Sequence, residues 1–214
     1  MKQVYLARHG NYGEDGRLSP YGVSQVQAIG DIIDKRLPKN VRVLLLASPE
    51  KRTVHTGEEL LPFLRKKSSN DLSVQTDDRF YWTRAGMFYK DSIKKSEAVI
   101  ELLETSFQSY DVVVVTTHKE NIGTLGIGIP KHYDIPYSNA LSPWIRPPDD
   151  EQLIAMTMEN ETLPRDEAIQ WLIQKYPEYF TYPPSHGISE ASTLFFDLEQ
   201  KVVEMLSCGL RSVG

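Results

Sequence analysis

Val4-Tyr5-Leu6-Ala7-Arg8-His9-Gly10-Asn11 is a short apolar run that stops abruptly at an arginine, a histidine and a glycine. Its first four residues suit a buried strand. Gly10 lets the backbone turn and approach a ligand, and Arg8 with His9 sets a fixed cation beside a titratable base. Taken locally, the pair has two readings: an exposed Arg-His at a strand end, or a nucleophile delivered into a phosphate pocket. The rest of the chain decides between them. Asp111 opens Val112-Val113-Val114-Val115, the clearest buried strand of the sequence, and this run also ends at a histidine, through Thr116 and Thr117 into His118.

Between these two strands the pattern alternates. Leu18-Ser19-Pro20 starts a helix with Ser19 as N-cap and Pro20 at its first position. Val23, Val26, Ile29, Ile33 and Leu37 give it one apolar face, and Pro38 ends it. Val41 to Ala47 is a second strand, and Ser48-Pro49 repeats the cap-plus-proline start, predicting a helix from Pro49 to Leu64 with an end or irregularity near Pro62. Arg52 falls in its first turn, where unpaired N–H groups and the helix dipole already favour an anion. Leu72 to Gln75 reads as a short strand, Thr76 to Lys90 as irregular, and Ile93 to Gln108 as a third helix. A glycine-broken helix is expected from Glu120 to Ile127.

Nine of the 13 prolines fall between Pro130 and Pro184, which predicts irregular connections with one helix near Arg165 to Tyr176. This segment is either an ordered surface insertion or a cap that shapes a substrate entrance. Ser192 to Leu198 and Lys201 to Leu206 close the chain as a hairpin turning at Glu199-Gln200. The expected fold is α/β, a three-layer sandwich with a largely parallel central sheet flanked by helices. A single domain spans 1–214, with 130–187 as a Pro/aromatic-rich insertion or cap. In such sheets ligands bind at the carboxyl ends of the strands, where His9, His118 and Arg52 converge.

Composition narrows the function classes. The 214 residues are 40% apolar and 25% charged, an ordinary globular balance. A net charge of -5 argues against general nucleic-acid affinity, so any anion site is a local concentration of positive charge. The basic run Arg65-Lys66-Lys67 reads as a solvated loop. A lone cysteine, Cys208, allows no internal disulfide, and no Cys/His spacing suits zinc; a reducing, cytoplasmic setting is the expectation. Met1-Lys2-Gln3 runs into the first strand without a signal-like stretch, and no segment approaches a membrane span, so no membrane partner is expected.

Four separated pieces together resemble the histidine phosphatase superfamily, the phosphoglycerate mutase-like family. They are Arg8-His9-Gly10; Leu18-Ser19-Pro20-Tyr21-Gly22-Val23-Ser24-Gln25; Ser48-Pro49-Glu50-Lys51-Arg52-Thr53-Val54-His55-Thr56; and Val114-Val115-Thr116-Thr117-His118. The resemblance covers residues 1 to about 128, with Ser192 to Leu206 similar to the closing strands. It implies that His9 is a nucleophile that becomes transiently phosphorylated and that Arg8, Arg52 and His118 complete the phosphate pocket. It implies no cofactor and no metal, because the arginines and histidines neutralise the charge. Asn11 is placed either to offer an amide to a phosphate oxygen or to cap its own backbone.

The sequence departs from the family where the acid for the leaving group belongs. Trp82 stands at the position of the usual glutamate. Asp78 or Asp77 could replace it, with Glu14 and Asp91 as further carboxylates; alternatively Asp77 and Asp78 form a polar turn before Arg79. His55 stands for the family's usual Gln or Glu, either bordering the pocket or as a helix-surface residue. Lys119 replaces the aspartate of the acid phosphatase and phytase branch, which argues against that branch. His132 and His186 read as structural or exposed, and Arg84 as a substrate contact or an ordinary loop arginine. The reading is a metal-independent phosphatase acting on a phosphomonoester or phosphoramidate of a small molecule or phosphoprotein. A mutase-type phosphoryl transferase and an inactive phosphate-binding scaffold are the alternatives.

Overall fold

Strands buried on both faces organise the chain, as the near-continuous apolar runs require. A computed structural model describes residues 1–81, 89–136, 150–168, 171 and 190–207. The six strands are β1 (Gln3–Arg8), β2 (Val43–Ala47), β3 (Val74–Thr76), β4 (Val112–Thr117), β5 (Thr193–Asp197) and β6 (Val202–Leu206). They form one sheet in the order β3-β2-β4-β1-β5-β6. The first four run parallel, and β5 and β6 add an antiparallel hairpin beside β1.

The pleat divides the core. Tyr5, Val43, Leu45, Val112 and Val114 face one side, where they pack with Val26, Ile29 and Ile33 of α1 (Pro20–Arg36) and Leu60 and Leu64 of α2 (Lys51–Arg65). Val4, Leu6, Leu44, Val113 and Val115 face the other, against Val99 and Leu103 of α3 (Tyr89–Ser106) and Ile122, Leu125 and Ile129 of α4 (Lys119–Tyr133). Helices therefore cover both faces of a largely parallel sheet, the expected three-layer sandwich.

Where local signals were specific, the elements follow them. Ser19 caps α1, its side chain accepting from the Gly22 N–H, with Pro20 as first residue. The closing hairpin turns at Leu198–Lys201, where Asp197 Oδ1 accepts from the N–H groups of Glu199 and Gln200.

α2 ends at Arg65, one residue past the expected Leu64, with Pro62 inside its last turn. Pro62 and Glu58 are both exposed, so the carbonyl deprived of its donor lies on the solvent side. Two expectations are corrected. The helix after His118 is not broken by its glycines but runs to Tyr133, carrying Pro130 inside it. Its apolar face on the core holds it together, and at Gly128 a side chain would meet Ser96 Oγ of α3 at 2.0 Å, so the glycine serves close helix packing. Between Pro130 and Pro184 an additional helix, α5 (Asp150–Glu161), stands where irregular chain was expected; residues 165–168 are helical as anticipated. The expectations for Trp82, Arg84, His186, Cys208 and the remainder of the proline-rich segment lie outside the described residues.

Candidate active site

Register brings the two histidines together. In the β1–β4 pairing Arg8 stands opposite Thr117, so the residues that follow, His9 and His118, leave the sheet side by side. The His9 N–H donates to the Thr117 carbonyl at 3.0 Å and the Ala191 N–H donates to the His9 carbonyl at 3.1 Å, pinning the turn from both flanks. The two imidazole centroids are 5.4 Å apart.

The His9 ring has a defined tautomer. Nδ1 lies 2.9 Å from the Gly10 carbonyl, which can only accept, so Nδ1 carries the proton and Nε2 keeps its lone pair. Burial, with the nearby guanidiniums of Arg8 and Arg52, pushes its pKa down to about 4, against the pull of the Gly10 hydrogen bond. His9 is therefore an uncharged base across the neutral range, the state a nucleophile needs.

The same shift has a consequence for stability. Above the ordinary value of 6.5 both folded and unfolded chains hold His9 neutral. As the pH falls below it, only the unfolded chain takes up the proton, so stability is lost down to about pH 4, by about 3 kcal/mol. Urea denaturation at several pH values should show this loss in the wild-type chain, and a His9→Gln variant should lack that part of it.

Arg52 is the second residue of α2 and enters the cluster from the helix start. Its Nη2 is 3.4 Å from His118 Nδ1, and its guanidinium carbon lies 4.7 Å from the centre of the Tyr12 ring, which in turn stands edge-on to His9 at 5.2 Å. Arginine only donates, so His118 Nδ1 holds a lone pair and the proton sits on Nε2, 3.1 Å from Ser48 Oγ. Arg52 Nε is buried with no hydrogen-bond partner among the described residues, a donor that an oxyanion would satisfy. Arg8 ends β1 at the same sheet edge.

The turn after His9 is locked to both helices of one layer. The Gly10 N–H donates to Thr56 Oγ1 at 3.3 Å, and Thr56 donates on to the Arg52 carbonyl at 2.7 Å. The Asn11 N–H donates to the buried Gln25 Oε1 at 2.9 Å, and Asn11 Oδ1 accepts from Ser19 Oγ at 2.7 Å. The Asn11 amide is thus oriented by the α1 cap. Close approach here needs two glycines: a Cβ on Gly10 would meet the Gly22 carbonyl oxygen at 2.6 Å, and one on Gly22 would meet the Asn11 carbonyl oxygen at 1.9 Å. Because both obstacles are backbone, Gly22→Ala should cost about 3 kcal/mol and lower Tm by roughly 6–12 °C, readable by calorimetry.

The acid candidates separate. Asp77 caps the one-turn 3-10 helix Asp78–Phe80 and holds Arg79 through both carboxylate oxygens, at 2.9 and 2.6 Å; the hydrogen bonds from the Arg79 side chain keep its pKa below the usual carboxylate range. That is the polar-turn alternative, and it makes Asp77 a poor proton donor. Asp78 and Glu14 are exposed, and Asp91 lies in the first turn of α3. Among the described residues no hydrogen bond or ion pair brings Asp78 to His9, Arg52 or His118.

Other sequence candidates take structural duties. His55 Nδ1 accepts from the Leu18 N–H at 3.1 Å and its Nε2 faces Glu59 at 3.7 Å, tying the entry to α1 onto α2. His132 pairs with Glu104 at 2.9 Å on the surface. The residue that sequence reading passed over is Glu50. It is the N-cap of α2 but its side chain makes no capping bond. Instead Oε2 pairs with Arg52 Nη2, and Oε1 lies 3.7 Å from His118 Nε2. Its signal was an acid two residues before the motif arginine, hidden at a variable position of the motif.

Among the described residues no group of three or more His, Cys, Asp or Glu side chains could hold a metal ion, and no helix is long and apolar enough to cross a membrane. No protein-family model matches the sequence, and no curated protein matches it. Solved structures do match in fold. A mycobacterial glucosyl-3-phosphoglycerate phosphatase in complex with inorganic phosphate is 14% identical, covering 99% of this chain and 100% of that one at a TM-score of 0.54. A mycobacterial hydrolase is 14% identical, covering 99% and 93% at 0.53. A phosphoserine phosphatase from Entamoeba histolytica, in complex with 3-phosphoglyceric acid, is 12% identical, covering 97% and 96% at 0.50. The chain has the α/β fold of these structures.

Proposed function

We propose that this chain is a histidine-type phosphatase that hydrolyses phosphomonoesters or phosphoramidates through a phosphohistidine on His9. The observation that carries the reading is the His9 ring itself: Nδ1 is tied to the Gly10 carbonyl, and the ring is kept neutral beside the cationic Arg52 and a second imidazole. A lone pair on Nε2 attacks phosphorus in line. The phosphoryl oxygens are held by Arg8 and Arg52, and His118 completes the pocket by orienting the Arg52 guanidinium through Nδ1. Asn11 adds an amide donor at the rim. Water then attacks the phosphohistidine and releases phosphate.

The bound phosphate and 3-phosphoglyceric acid of the fold relatives support a phosphorylated small molecule as substrate class. Phosphoryl transfer here needs no metal, since fixed guanidiniums do the neutralising. The test is hydrolysis of an aryl phosphate by the purified chain with and without a chelator. Turnover that survives chelation is expected. Tight phosphate binding without turnover of any phosphomonoester would instead make the chain a phosphate-binding scaffold.

A further inference from the structure

We infer that Glu50 is the proton donor to the leaving oxygen, released for that task when the substrate's phosphoryl group displaces its carboxylate from Arg52. This rests on the phosphatase reading and supplies the acid that Trp82 leaves missing from the family pattern.

Among the described residues Glu50 is an acid in contact with this cluster. Its Oε2 occupies the Arg52 guanidinium, and its Oε1 stands 3.7 Å from the proton-bearing Nε2 of the buried His118. The side chain is only 19% exposed. It also makes none of the capping bonds that an N-cap side chain usually makes. In the resting site the carboxylate is therefore a stand-in for the phosphoryl group on Arg52 Nη2, while the buried Nε of the same guanidinium has no acceptor among the described residues.

Arrival of substrate changes the charges around Glu50 in one direction. A phosphate dianion takes the guanidinium, so the carboxylate loses its cation and gains an anionic neighbour. Both changes favour the protonated acid. Glu50 takes a proton from solvent on binding and gives it to the leaving oxygen as the P–O bond breaks and the bond from His9 Nε2 to phosphorus forms. As the carboxylate it then accepts a proton from the water that attacks the phosphohistidine, and as phosphate leaves Glu50 returns that proton to solvent and pairs again with Arg52. In-line transfer needs nucleophile and acid at separate points of the site, and Glu50 enters the cluster through Arg52 and His118 rather than through His9.

The experiment compares wild-type and Glu50→Gln on two substrates, p-nitrophenyl phosphate and a simple alkyl phosphate, with Tm recorded for both proteins. Gln keeps the shape but cannot donate the proton. The expected result is a kcat/KM within roughly 5-fold of wild type on the nitrophenyl ester, whose leaving group needs no acid, and a loss of about 100-fold or more on the alkyl ester. On binding tungstate, an unreactive dianion, the wild-type chain should take up about one proton more than the variant, read by calorimetry in buffers of different ionisation enthalpy. Equal losses on both esters, no loss on either, or equal proton uptake overturns the inference while leaving the phosphatase reading intact. So does a leaving-group-dependent loss in Asp78→Asn and not in Glu50→Gln, which would place the acid at Asp78. A wild-type chain that hydrolyses neither ester overturns the phosphatase reading and this inference together.

Discussion

His9→Ala is expected to abolish phosphomonoester hydrolysis, lowering kcat/KM on the order of 10⁴-fold or more, equivalent to about 5.5 kcal/mol of transition-state stabilisation. The size follows from what is removed. The imidazole is the only group proposed to bond to phosphorus: of its described neighbours, Arg52 has no lone pair to offer and the His118 Nδ1 lone pair is turned to Arg52 Nη2 at 3.4 Å. Folding should suffer far less. The ring's polar tie to the protein is its hydrogen bond to the Gly10 carbonyl, worth about 1 kcal/mol near neutral pH, to which a cavity cost must be added. Tungstate binding should persist in the variant, because the guanidiniums remain. A variant that retains a tenth of wild-type turnover would remove His9 from the chemistry.

Arg52→Ala should lower kcat/KM by roughly 10² to 10³-fold, the range expected for a lost donor to developing charge. Arg52→Lys should recover little, since a single ammonium cannot hold two oxygens in a plane as the guanidinium fork does. Thermal stability should move much less than turnover. Arg52 is about one-fifth exposed, and its partner Glu50, left behind, is also partly solvated. Comparable losses in turnover and in stability would mean that the guanidinium serves the helix start rather than the substrate.

How far the site could be read in advance depended on whether its parts were local. The apolar run ending at Arg8-His9-Gly10 and the valine run ending at Thr117-His118 are visible one residue at a time. So is the Ser-Pro start of each flanking helix. What joins them is not local. β1 crosses over by α1 to β2, and β4 later inserts between those two strands, so the adjacency of His9 and His118 rests on a pairing register that no short window contains. Glycine misled where packing outweighed propensity: Gly128 admits Ser96 of α3 instead of breaking α4. Glu50 went unseen for another reason. Its position beside Arg52 looks like an ordinary acid at a helix start, and only its ion pair with Arg52, in place of a capping bond, marks it as part of the site.

A covalent bond between His9 and phosphorus is the central step of the proposed reaction, and trapping it is the most direct test. The chain would be mixed with an aryl phosphate labelled with ³²P, quenched within milliseconds in alkali, and digested for peptide mapping. The expected label is stable to base, labile to acid and confined to the peptide containing His9, with none in His9→Ala. Full turnover of the same substrate with no label on His9 at any quench time, and label or oxygen-isotope exchange pointing to direct attack by water, would contradict it.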